Sequence, residues 1–160
     1  APGAEQAPLL RPARISRAPS SSMIRVCFIA TGLDLGGAEV ALLALLQHLD
    51  RTRFEPSVIS LTTAGIIGPR IAALGVPVTA MGLRARPVAL SSGLLRLVRQ
   101  LRHERPDVVQ TWMYHADLLG SLAARCAGID NVVWCLHSSD PAPGVTKRGT
   151  VAVARLCARL

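Results

Sequence analysis

Aromatic residues are scarce in this chain: two tryptophans, two phenylalanines and one tyrosine make up 3% of its 160 residues. Proteins that hold single-stranded nucleic acid stack bases on aromatic side chains, and so few scattered rings cannot build such platforms. Lysine is nearly missing too. Lys147 is the only one, so the 18 basic residues are otherwise arginine, set against just 10 acids for a formal charge of +8 and a pI near 10.9. This balance suits phosphorylated ligands or an anionic membrane surface, and the shortage of rings argues against nucleic acid as a partner.

The four cysteines, Cys27, Cys126, Cys135 and Cys157, show no C-x-x-C pair and no Cys/His ligand spacing. Neither a zinc module nor the disulfide framework of a small secreted scaffold fits that scatter. They read as reduced, buried residues of a cytosolic protein, with no metal site. No uncharged stretch is long enough to cross a bilayer, and Arg25 breaks the apolar run nearest the start, so neither a membrane span nor a signal peptide is expected.

What is present is a hydrophobic content of 50%, enough for one domain with a proper core. Residues 1–22, rich in Pro, Ala, Arg and Ser, carry no strand or helix period and read as a disordered leader, with residues 23–160 forming the domain. From there apolar runs and helical patterns alternate. Strands are expected over 26–29, 56–61, 76–81, 107–112 and 131–136. Helices are expected over 38–49, 68–75, 118–127 and from about 147 onward, with another opened by Ser91 or Ser92 and ended by Pro106. Asp117 is expected to cap the helix over 118–127, and Pro77 places the third strand at a sheet edge. The alternation predicts an α/β fold: a Rossmann-like three-layer domain with a mostly parallel sheet of about five or more strands. One helix has Arg96, Arg99 and His103 on a single side, which reads either as an ordinary solvated surface or as a face for anionic lipid.

The stretch Thr31-Gly32-Leu33-Asp34-Leu35-Gly36-Gly37-Ala38-Glu39 joins the first strand to the first helix. It falls at the carboxyl end of that strand, where open α/β sheets place ligands, and the N–H groups of the helix suit an oxygen-rich group. A dehydrogenase turn does not fit, because Ala38 replaces the last glycine and no acid ends the second strand. Tyr114 also has Leu118 where a Tyr-x-x-x-Lys pair needs lysine. A P-loop is excluded because no Gly-Lys-Ser/Thr follows.

The first strand with "LDLGGAE", followed by "VVQTWMYHADLLGSLAARCAGI" and "VVWCLHSS", resembles the N-terminal, acceptor-side domain of group-one glycosyltransferases of GT-B architecture. The resemblance covers residues 23–160 and implies one half of a GT-B fold, with the C-terminal donor-binding domain absent from this sequence. It implies that Gly36 and Gly37 bring backbone close to donor phosphate or acceptor, that His115 is the catalytic-site histidine beside the transferred sugar, and that His137 and Ser138 bind on the acceptor side. It further implies a nucleotide-sugar donor, no cofactor or metal, and retention of anomeric configuration. The acceptor would be a cell-surface glycan or lipid-linked sugar, and the place of action cytoplasmic, peripheral on the inner membrane face. Glu39 reads as a first-turn acid favouring the helix dipole, and Trp112 as core or as a wall against a sugar ring. The rival expectation is a non-catalytic, membrane-peripheral module that binds a phosphorylated ligand.

Overall fold

In the computed structural model, which describes residues 23–83 and 87–135, with side chains of the third helix from Ser92 onward, the first apolar run is the middle of the sheet. β1 (Ile24–Ala30) is followed by α1 (Gly37–His48), β2 (Phe54–Ser60), α2 (Ile67–Ala72), β3 (Val78–Ala80), α3 (Pro87–Glu104), β4 (Val108–Trp112), α4 (Tyr114–Ala127) and β5 (Val132–Cys135). The five strands lie in the order β3-β2-β1-β4-β5, and every pair is parallel.

Period-two alternation in β1 decides the layers. Val26, Phe28 and Ala30 face one core, with Leu42, Leu43 and Leu46 of α1 and Ile67 and Ile71 of α2. Cys27 and Ile29 face the other, with Leu97, Val98 and Leu101 of α3 and Ala116, Ala123 and Ala124 of α4. A strand apolar on both faces is stable only between two helical layers, so the three-layer architecture follows from the side chains of β1. Burial pushes the Cys27 thiol far above its ordinary value, whereas Cys126 is exposed on α4, against the expectation that it is buried. Cys157, residues 1–22 and the helix expected from 147 lie outside the described residues.

Several boundaries differ from the sequence reading, β3 for one being only Val78–Ala80, and three of the differences have a structural reason. β2 begins at Phe54, so Pro56 lies inside a central strand, opposite Val26. It is tolerated because Val58 donates towards β3 (Val58 N to Pro77 O, 2.9 Å). Pro56, two residues earlier, turns its nitrogen to that same side before β3 has begun. α3 starts at Pro87, so Ser91 and Ser92 lie within it instead of capping it; proline fits a first helical turn, where no N–H is needed. α4 starts at Tyr114 and takes Asp117 into its first turn, with Met113 as the capping residue. Arg96, Arg99 and His103 are exposed as expected, and the apolar Leu95 beside them is 50% exposed as well.

α4 lies unusually close to the sheet. A Cβ on Gly120 would stand 2.6 Å from Thr111 Cγ2 and 3.3 Å from Ile29 Cδ1. Gly120→Val should therefore lift α4 from β1 and β4 and lower the unfolding free energy in urea by about 2 kcal/mol. At Gly37, where a Cβ would meet nothing within 4 Å, Gly37→Ala should leave stability within about 0.5 kcal/mol.

Candidate functional site at the β1–β4 switch point

The chain winds outward from β1 to β2 and β3, then returns to place β4 on the other side of β1. Loops leaving the carboxyl ends of β1 and β4 consequently diverge and leave a crevice between them. Ala30 and Trp112 are partners across the last rung of that ladder, and the base of the crevice is a hollow of only about 10 Å³ lined by Ala30, Ala38, Glu39, Leu42, Trp112 and Met113.

On the β1 side the loop is fixed from below. Leu33 is fully buried and its carbonyl accepts from Ile67 N at 2.9 Å, while Thr62 donates from N and Oγ1 to Thr31 O at 3.1 and 2.9 Å. Gly65, at φ +49°, passes so close to Leu33 that any Cβ would collide with the Leu33 carbonyl, so only glycine fits there. With Leu33 anchored, Asp34 and Leu35 are exposed and Gly36, extended at φ −154°, leads into α1. Gly37 opens the helix and is exposed. Its φ is not positive and no neighbour fills the space of a Cβ, so neither conformation nor packing demands glycine. A Cβ on Gly36 would collide with Glu39 Oε2; the carboxylate of Glu39 is folded back over the turn.

On the β4 side, Met113 turns the chain from strand to helix at φ +75°, ψ 151°, a costly conformation for a side-chain-bearing residue. Three hydrogen bonds hold it, one of them from Met113 N to Cys135 O at 3.3 Å. Asp117 N donates to Met113 O at 2.9 Å, and Thr111 Oγ1 donates to Asp117 Oδ1 at 2.6 Å, both side chains being fully buried. This bond draws Asp117 inward and explains why it does not cap α4 from outside. Asp117 Oδ2 is buried without a hydrogen-bond partner among the described residues, as is Thr31 Oγ1. Burial raises the Asp117 carboxyl above its usual range, the Thr111 hydrogen bond partly offsetting it.

The sequence-predicted residues divide accordingly. Gly36, Gly37 and His115 reach the same carboxyl edge on adjacent strands: the first two at the start of α1, and His115 exposed at the second position of α4. None of the three is among the residues lining the crevice. Trp112 is 4% exposed and packs in the core beneath α1, so it is core first and crevice wall second. His137 and Ser138 lie outside the described residues. Periodicity did not single out Met113 or the Thr111–Asp117 pair; the only sequence signal was an acid following a strand-end threonine by six residues. Among the described residues no group of three or more His, Cys, Asp or Glu side chains could hold a metal ion, and no helix is long and apolar enough to cross a membrane. A larger hollow lies at the opposite, amino edge, where Glu104 accepts from Ser57 (2.8 Å) and Gln100 (2.7 Å). The first of these bonds ties the end of α3 to β2, and the second orients the Glu104 carboxylate from within α3.

Asp117 predicts a pH signature. Its carboxyl is raised in the folded state, so the favourable contribution of the protonated form is present below the unfolded value near 4 and is lost as pH rises through the higher folded value. Asp117→Asn removes that loss. Its unfolding temperature, measured relative to the parent, should therefore be higher at pH 7 than at pH 4; a difference independent of pH contradicts the assignment.

Three comparisons with known proteins bear on this geometry. Residues 35–160 match the family described as Glycosyltransferase Family 4. The fold matches the crystal structure of Acinetobacter baumannii MurG, with a TM-score of 0.62 at 19% identity, covering 82% of this chain and 39% of that one. The chain thus spans well under half the length of that protein. No curated protein matches its sequence. The sheet order, the two helical layers and the family match over most of the chain agree with the Rossmann-like half of a GT-B architecture, and the chain belongs to glycosyltransferase family 4.

Proposed function

We propose that this chain is the acceptor-side half of a nucleotide-sugar-dependent glycosyltransferase. The observation that carries this reading is Gly37, a glycine at the start of α1, on the same carboxyl edge as the crevice, that neither backbone conformation nor packing requires. Its bare backbone allows a ligand to approach the start of α1 as no larger residue would. The family match over residues 35–160 supports a sugar substrate as the class of that ligand.

In this reading Gly36 and Gly37 present backbone to the acceptor, and His115, at the start of α4, donates a hydrogen bond to the transferred sugar or its leaving group without carrying a fixed charge. His137 and Ser138 contribute further acceptor contacts. The nucleotide-sugar is bound mainly by a second domain, so this half alone does not turn over. Transfer retains anomeric configuration and needs neither cofactor nor metal. The acceptor is a cell-surface glycan or a lipid-linked sugar, met at the cytoplasmic face of a membrane. The exposed Arg96 and Arg99 beside Leu95 on α3 support peripheral contact with anionic lipid. The same face favours the second reading, a membrane-peripheral module without catalysis.

The deciding experiment begins with the coding sequence beyond Leu160. If it encodes a second α/β half, the joined protein should transfer label from a nucleotide-sugar panel to a membrane-lipid or glycan extract, and His115→Ala should lower kcat/KM by about a hundredfold. Absence of transfer from every donor, with the joined protein folded, leaves the binding-module reading in its place.

A further inference from the structure

We infer that the hollow at the amino edge of the sheet is a binding site for a small organic cation, an ammonium group on an apolar body, with Glu104 as its counter-charge. The inference goes beyond the glycosyltransferase reading and does not depend on it, because the hollow and the crevice share no lining residue.

The hollow exists because β2 outruns its neighbour. Val58 is paired with Val78, the first residue of β3, so residues 54–57 have no strand beside them on that side. The space left there measures about 570 Å³, a size usual for small-molecule sites. Backbone pairing cannot close it. On that side of β2 the Phe54 N–H is already given to Asp50 O at 2.9 Å, and Pro56 has no N–H to give. An added peptide strand would find no free donor before Val58, so the space suits a compact molecule.

Its polar floor is built around one carboxylate. Ser57 Oγ donates to Glu104 Oε2 at 2.8 Å and Gln100 Nε2 to Glu104 Oε1 at 2.7 Å. Both oxygens are thereby held in place, and each keeps a lone pair for a ligand. Both donors are neutral, and among the described residues no cation lies within ion-pair distance of this half-buried carboxylate. Two arginines line the hollow as well, but each is anchored elsewhere. Arg25 donates to the main-chain carbonyl of Glu104 at 3.2 Å and pairs with Asp107 at 3.8 Å, while Arg51 reaches the Gly75 carbonyl at 3.4 Å. A second carboxylate, Glu55, stands exposed in the lining. An ammonium brings both the charge and the donors that Glu104 lacks. The remaining walls, Met23, Val26, Phe54, Pro56, Pro77 and Pro106, take its apolar body.

The test uses the whole 160-residue chain, labelled with 15N, at low ionic strength. Benzylammonium is titrated while the amides of Ser57, Gln100 and Glu104 are followed, with Gly37 at the opposite edge as the silent reference. Benzyl alcohol, of the same shape and without charge, is the paired probe. The ammonium should give a saturable shift at the three amides in the millimolar range. The alcohol should bind at least about tenfold more weakly, the size expected from one close charge pair in a partly solvated site. Glu104→Gln keeps the bulk of the side chain and should remove that preference. Thr79→Phe fills the hollow from β3 and should abolish the shift for both probes; dispersed spectra report that each variant is folded. Equal affinity of the parent for the two probes overturns the inference, as does an undiminished preference in Glu104→Gln or the absence of any saturable shift in the parent. Should one variant fail to fold, the paired probes on the parent still decide.

Discussion

Everything at the carboxyl edge depends on β1 being paired on both sides and buried on both faces. Parallel neighbours at β2 and β4 force the two crossovers to opposite helical layers, and that reversal opens the crevice. The alternation of Val26, Phe28 and Ala30 with Cys27 and Ile29 is thus more than a core pattern. It fixes where two helices begin and therefore where backbone groups are free to meet a ligand.

The two walls of the crevice are built by different means. The β1 loop is positioned by a buried leucine, Leu33, and by a glycine, Gly65, that lets another loop pass beneath it. The β4 turn is positioned by a buried acid and a hydroxyl that hold Met113 in a costly backbone conformation. Burying a carboxyl with one neutral donor is a poor bargain for stability alone. Its location directly under the strained turn ties that cost to the geometry of α4.

The architecture was legible in the sequence because parallel strands between two layers must be short apolar runs, and helices between them must repeat near 3.6 residues. The site was legible to the extent that chemistry follows position: Gly36, Gly37 and His115 each follow a strand, and all three reach the carboxyl edge. What periodicity could not give was direction. Asp117 looks like a cap in sequence, and only Thr111, packed beneath it, shows that it turns inward. Glu39 looks like a dipole partner, and only the missing Cβ of Gly36 shows where its carboxylate goes. Pro56 looks like a strand start because a proline in a central strand is rare. The late beginning of β3 removes the partner that proline would have failed.

The close approach at Gly120 has a mechanical consequence. α4 is held to the sheet at three places along its length: by Thr111 through Asp117, by the bare backbone of Gly120, and by Trp134, whose Nε1 donates to Ser121 Oγ at 2.7 Å. Such a helix cannot tilt without breaking contacts at all three. The β1 wall, beyond its anchor at Leu33, has only the exposed Asp34 and Leu35 before the glycines. In the proposed reading the crevice is a jaw with one fixed side, and accommodation to ligands of different girth falls to the three residues between Leu33 and α1.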